Sequence, residues 1–208
     1  MKADRSREHS VEKKKKLGVN PYPAKEYEVN TSTSKILNDF ETNPEQFKQI
    51  KIAGRIMSRR IMGKASFAEI QDSFGKIQIY VNRDEIAPSE DKTLYNEIFK
   101  KHLDIGDFIG VEGFVFKTKV GETSIHVLKL EVLSKSLKPL PIVKTDKDGK
   151  AHDAFTDAEQ RYRQRYVDLI VNPKVKETFI KRTKVINSMR EFFNKEGYLE
   201  VEMVMFRK

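Results

Sequence analysis

The chain has 208 residues, 38% hydrophobic content, no cysteine and a formal net charge of +9. That length and apolar content suffice for one ordinary compact domain plus further material, and the missing thiols exclude disulfides and thiolate zinc sites. The cationic excess favours a polyanionic partner, nucleic acid ahead of an anionic membrane, because neutralised phosphates release their counterions.

No apolar run approaches the roughly 20 residues that span a bilayer, and the opening MKADRSREHSVEKKKK has no apolar centre for a secretory signal. The expectation is a cytoplasmic protein without a membrane partner. His9, His102, His126 and His152 are scattered without metal-ligand spacing, so no metal site is expected.

In chain order, residues 1–48 read as a basic helical arm and lead-in. Arg5 to Leu17 are helix-compatible and include the unbroken run Lys13, Lys14, Lys15 and Lys16, stopped by Gly18 and Asn20-Pro21-Tyr22-Pro23. Two readings stand: an arm that contacts phosphates, or the solvated face of a partly frayed helix. A short helix is expected at Thr33 to Asn38, capped by Ser32 or Thr33.

Residues 49–137 carry the strand signals. Ile50 to Ile61 alternates, with Ile50, Ile52, Gly54 and Ile56 on one face and Lys51, Ala53, Arg55 and Met57 on the other. Ser66 to Gln71 and Ile77 to Asn82 complete a meander about Gly63 and the Asp72-Ser73-Phe74-Gly75 turn. In the second strand Phe67 shares the polar face with Glu69 and Gln71. An aromatic ring on a polar face suits base stacking, worth about 1–3 kcal/mol, while Arg55 and Gln78 supply groups that can read base edges. A helix at Asp91 to His102 precedes strands at Phe108 to Lys117 and Ser124 to Leu133. A bulge is expected at Val127 and Leu128, handing the apolar face over to Leu128, Leu130 and Val132. Three strands, a helix and two strands give the order of an OB-fold, a small five-stranded barrel, so the fold class is mainly β with flanking helices.

Lys138-Pro139-Leu140-Pro141 opens a linker over 138–160. Beyond it Asn172-Pro173 starts a helix with Val175, Phe179, Ile186, Met189 and Phe193 at helical spacing, ended by Gly197 and followed by a strand at Tyr198 to Phe206.

The run Gly54 to Phe67, GRIMSRRIMGKASF, closely resembles the anticodon-binding barrel of bacterial-type class II lysyl-tRNA synthetases, and similarity returns at Gly106-Asp107, at Phe116 to Glu122, at Leu133 to Pro141 and at Arg161 to Leu169. This resemblance implies that Phe67 stacks on an anticodon base, that Arg55 and Gln78 bond base edges, and that Glu122 accepts from a uridine ring N–H of the lysine tRNA anticodon loop. Lys13 to Lys16, Arg59, Arg60 and Lys64 are candidate phosphate contacts. Residues 161–208 are similar to the start of a class II α+β catalytic domain, its dimer-forming first motif, with Val204 where the family carries proline. The full-length enzymes are homodimers that use ATP and Mg²⁺ to join lysine to its tRNA. The later ATP-gripping motifs are absent from these residues, so this chain alone is expected to need no cofactor, to hold no catalytic residue and to be inactive as a ligase. A different class of reading is a stand-alone OB module that binds single strands without sequence preference. An aspartyl or asparaginyl synthetase barrel is disfavoured by the KASF context and the Glu122 turn.

Overall fold

Alternation of small or apolar inward residues with outward ones drives five strands: β1 (Ile50–Met62), β2 (Ala65–Gln71), β3 (Lys76–Asn82), β4 (Phe108–Lys117) and β5 (Thr123–Ser134). In a computed structural model, which describes residues 2–141, 144–145, 151–152 and 155–202, these strands close into a barrel in the order β1-β2-β3-β5-β4. Neighbours are antiparallel except β3 and β5, which run parallel. The interior holds Ile52, Ile56, Ile70, Ile79, Val81, Ile109, Val111, Ile125 and Val127, all buried. Side chains of this size contribute about 1.5–3 kcal/mol each when fully buried, so they dominate the barrel's stability.

Two bulges decide which residues face out. The β1–β2 register shifts between Ile56 and Ser58, so that Arg59 pairs with Ala68 on the inner side and Arg60 pairs with Phe67 on the outer side. In β5 the register shifts where Glu112 pairs with Lys129 and Gly113 with Val127, which leaves Leu128 unpaired at the expected slip. Leu128 does not join the core as expected. It is exposed, and Leu130 and Val132 alone resume the inner face.

Helices seat around the barrel. α1 (Lys2–Lys16) leads, and α2 (Thr33–Asp39) starts at Ser32, whose Oγ accepts from the Lys35 N–H at 3.3 Å. α3 (Arg83–Ile86), a single turn capped by the Asn82 side chain, is an element the apolar pattern does not signal. α4 (Leu94–His102) is wound with bonds five residues apart, as Leu103 N–H to Ile98 O at 2.8 Å shows. Its Tyr95, Ile98 and Phe99 are fully buried, and the Tyr95 hydroxyl meets Ser66 Oγ at 2.8 Å and Gly63 O at 3.1 Å.

The chain divides into two compact units, Met1–Pro139 and Leu140–Lys208. In the second, β6 (Lys144–Thr145) pairs with β7 (Ala151–His152) inside the segment expected as an extended linker. α5 (Ala158–Arg163), α6 (Arg165–Val171) and α7 (Pro173–Lys195) follow. Asp168 organises them: Arg161 donates at 3.1 Å, and Asn172 and Arg165 also bond its carboxylate. Burial opposes its charge, but those partners outweigh burial and hold its carboxyl below the ordinary range. Phe179, Ile186, Met189 and Phe193, the helically spaced apolar residues of α7, are exposed. The strand expected from Tyr198 is not formed over Tyr198–Glu202, and its remainder, with Val204, lies outside the described residues.

Candidate nucleic-acid interface

Because paired residues on neighbouring strands share a face, the barrel's register lines up its outer side chains in rows. One row runs Arg60, Phe67, Tyr80, His126, Phe114 across all five strands, and the next runs Ser58, Glu69, Gln78, Ser124, Phe116. The first row is nearly continuous aromatic surface. Phe67 and Tyr80 lie 5.2 Å apart, Tyr80 meets His126 edge-on at 5.0 Å, and His126 stacks on Phe114 at 4.7 Å. Phe116 closes the cluster, 6.1 Å from Tyr80 and 5.5 Å from His126. Glu85 of α3 binds His126 Nε2 at the edge of this surface.

Phe67 thus stands on the outer face, half-buried, with one flank against Tyr80. Gln78 is one row away, its Nε2 donating to Ser124 Oγ at 2.9 Å, and that hydroxyl donates in turn to Glu122 O at 3.4 Å. Glu122 is exposed in the β4–β5 turn, where Gly121 takes φ 84°, a left-handed conformation that favours glycine. Its backbone is fixed by bonds with Thr118 at 2.9 and 3.0 Å. The structure therefore brings Phe67, Gln78 and the Glu122 turn to one face.

Arg55 is placed differently. It lies on the outer side opposite Gln71 and Phe108, in the row beyond Gln78. Its Nη1 donates to Gly106 O at 2.9 Å, its guanidinium sits 4.2 Å over the Phe108 ring, and burial draws its pKa down. Arg60 is the exposed guanidinium beside Phe67.

The phosphate-contact candidates separate into two groups. Lys13, Lys15, Lys16, Arg60 and Lys64 are exposed. Lys14 is fully buried 3.5 Å from Asp107, and Arg59 turns inward to donate to Phe99 O, so neither presents its charge to a ligand here. Burial is the main cause lowering the pKa of both. The physical reasons are the helix face that docks α1 and the β1 bulge that reverses alternation before Arg59. Tyr80, Phe114, Phe116 and His126 are the residues that reasoning from sequence passes over, although Phe114 and Phe116 alternate with Val115 and give the same signal as Phe67. Among the described residues no helix is long and apolar enough to cross a membrane, and no cluster of three His, Asp or Glu could hold a metal ion.

Residues 50–133 match the model of the OB-fold nucleic acid binding domain, and residues 157–208 match that of the class II tRNA synthetases (D, K and N). The chain is 58% identical over 197 residues to a lysine-tRNA ligase of Porphyromonas gingivalis, covering 94% of this chain and 34% of that protein. It is 60% identical over 188 residues to the lysine-tRNA ligase of Christiangramia forsetii, covering 90% of this chain and 32% of that protein. A third, from Azobacteroides pseudotrichonymphae, is 55% identical over 196 residues, 94% of this chain and 39% of the relative. The chain spans about a third of the length of these relatives. With an OB-fold nucleic acid binding domain, a match to the class II synthetases and such identity along nearly all its length, the chain belongs to the lysyl-tRNA synthetase family.

Proposed function

We propose that the barrel reads the anticodon loop of lysine tRNA on behalf of a lysyl-tRNA synthetase. The observation that carries this is the row Arg60, Phe67, Tyr80, His126, Phe114 beside Gln78 and the Glu122 turn. Phe67 offers a stacking face, and Gln78 and Glu122 offer donor and acceptor groups to the edge of an unpaired uridine. Arg60 supplies a cation next to the stacked base, whereas Arg55 acts mainly through its grip on Gly106 and Phe108. Lysine activation with ATP and Mg²⁺, the homodimer and a cytoplasmic site of action belong to the whole protein on this reading. The described residues supply binding and contribute no step of adenylate chemistry.

Competition binding at physiological salt tests it, with lysine tRNA set against the same tRNA altered at its central anticodon uridine. A large loss on alteration supports base reading. Equal binding overturns it in favour of a module that holds single strands without sequence preference.

A further inference from the structure

The aromatic face does not account for the charge carried by α1 and α4. Along α1, Arg7, Ser10 and Lys14 fall at helical spacing on one stripe, and all three face the barrel. Arg7 donates to Ile105 O at 3.0 Å and to Ser136 O and Lys138 O at 3.1 Å. Ser10 and Lys14 are buried, and Lys14 lies 3.5 Å from Asp107. α1 is therefore a docked element with a fixed rotation, which leaves Lys13 and Lys16, one turn apart, on the outside.

Against α1 runs α4, whose last turn carries Lys100, Lys101 and His102. Lys13 is close enough that its charge adds to burial in holding the His102 pKa below its ordinary value. Two helices setting cationic ends side by side is an electrostatic cost, offset in part by Glu97, which pairs with Lys101, and by Asp107 beside Lys14. The helix dipole accounts for cations at each last turn but not for joining two such ends. Strand β1 links this basic ground to the reading face. Arg59 bonds the Phe99 carbonyl just before Lys100, and its neighbour Arg60 stands beside Phe67.

We propose that α1 and α4 form a second RNA-binding surface, linked through β1 to the aromatic row, that receives the phosphates of the paired stem adjoining the loop. This inference rests on the anticodon-loop reading above. Lys13, Lys16 and Lys101 are its exposed phosphate contacts, while Lys14 and Arg59 are positioning residues that hold the two helices in place. Paired RNA is favoured over an anionic membrane because β1 ties the surface, at Arg59, to a base-stacking row that begins at the next residue, Arg60.

The test uses fluorescence anisotropy on the full chain with two probes, a hairpin carrying the lysine anticodon and an unpaired oligonucleotide of the same loop sequence. In the K13Q/K16Q/K101Q variant the hairpin should bind about 10-fold more weakly, and the slope of log K against log salt should fall by about 2 to 3. Binding of the unpaired oligonucleotide should change by no more than about twofold. The matching Lys→Arg variant should retain hairpin affinity, which separates charge from packing. Unchanged hairpin binding, or an equal loss on both probes, overturns the stem surface. So does a finding that the three lysines are needed for binding anionic vesicles but not for the hairpin. The two readings fail separately: insensitivity of the unaltered chain to the central uridine removes base reading, whatever the lysine variants do.

Discussion

Lys14 and Asp107 meet at 3.5 Å with neither side chain exposed, and Asp107 simultaneously receives the Lys135 ammonium at 3.0 Å and the Ser136 N–H at 2.8 Å. The cluster is asymmetric, because Asp107 has other partners while Lys14 Nζ has no hydrogen bond. Asp107→Ala leaves two buried ammonium groups with only Asp104 nearby and should cost about 3–5 kcal/mol. Lys14→Met leaves Asp107 paired and should be neutral or stabilising by about 1 kcal/mol at neutral pH. Burial, outweighing the pull of Asp107, brings the Lys14 pKa from 10.5 to about 8. Between those values the unfolded chain holds a proton that the folded chain has released, so stability of the unaltered chain should rise with pH relative to Lys14→Met. Urea titrations followed by circular dichroism at pH 7 and pH 9.5 measure both effects.

Phe67 leans on Tyr80 at 5.2 Å, and Tyr80 leans on His126. Removing the ring in Phe67→Ala should weaken lysine tRNA binding by about 1–3 kcal/mol with little change in melting temperature, since one flank is already open. Tyr80→Ala removes the support without removing the stacking ring, and its loss should be smaller. Filter binding with a parallel thermal melt separates the two, and a Phe67→Ala chain that binds normally would sink the stacking assignment.

Asp72 ties α2 to the β2–β3 turn. Its carboxylate accepts from the Thr33 hydroxyl at 2.6 Å and from the N–H groups of Thr33, Phe74 and Gly75 at 2.8, 2.7 and 2.9 Å. Burial works against the charge, but these bonds outweigh it and lower the pKa. A depressed carboxylate stabilises the fold above its unfolded pKa and loses that contribution as pH falls through the folded value. Asp72→Ala should therefore cost about 2 kcal/mol at neutral pH, with the gap to the unaltered chain closing below about pH 4. Melting curves across that range give the answer.

Alternation along the chain exposes most of the barrel, since Ile50 to Ile56, Ser66 to Gln71 and Ile77 to Val81 keep a strict period of two. It also identifies Phe67 and Gln78 as outward. What it misplaces lies beyond a break in the period. Arg59 follows the Met57 bulge and turns inward, and Leu128 is the bulged residue itself. The lysine run hides a second kind of information, because four identical residues say nothing about which one docks. Only the Arg7, Ser10, Lys14 stripe in contact with the barrel distinguishes Lys14. His126 reads as an isolated polar residue until the parallel β3–β5 pairing sets it between Tyr80 and Phe114. Pairing between strands far apart in sequence is not encoded in the periodicity of either one.

Gly113 shows how backbone spacing supports that surface. It pairs with Val127 beside the Leu128 bulge, and a Cβ built on it would stand 1.8 Å from the carbonyl oxygen of His126. The obstacle is backbone, which cannot rotate away, so Gly113→Ala must push β4 and β5 apart where Phe114 stacks on His126. The expected cost is about 2–4 kcal/mol in stability, with lysine tRNA binding reduced even at temperatures where the chain remains folded. Leu128→Ala, at the same bulge but exposed, is the control and should change stability by less than about 0.5 kcal/mol. If Gly113→Ala melts normally and binds normally, β4 and β5 have more freedom at the bulge than their close approach allows, and the aromatic row does not depend on their spacing.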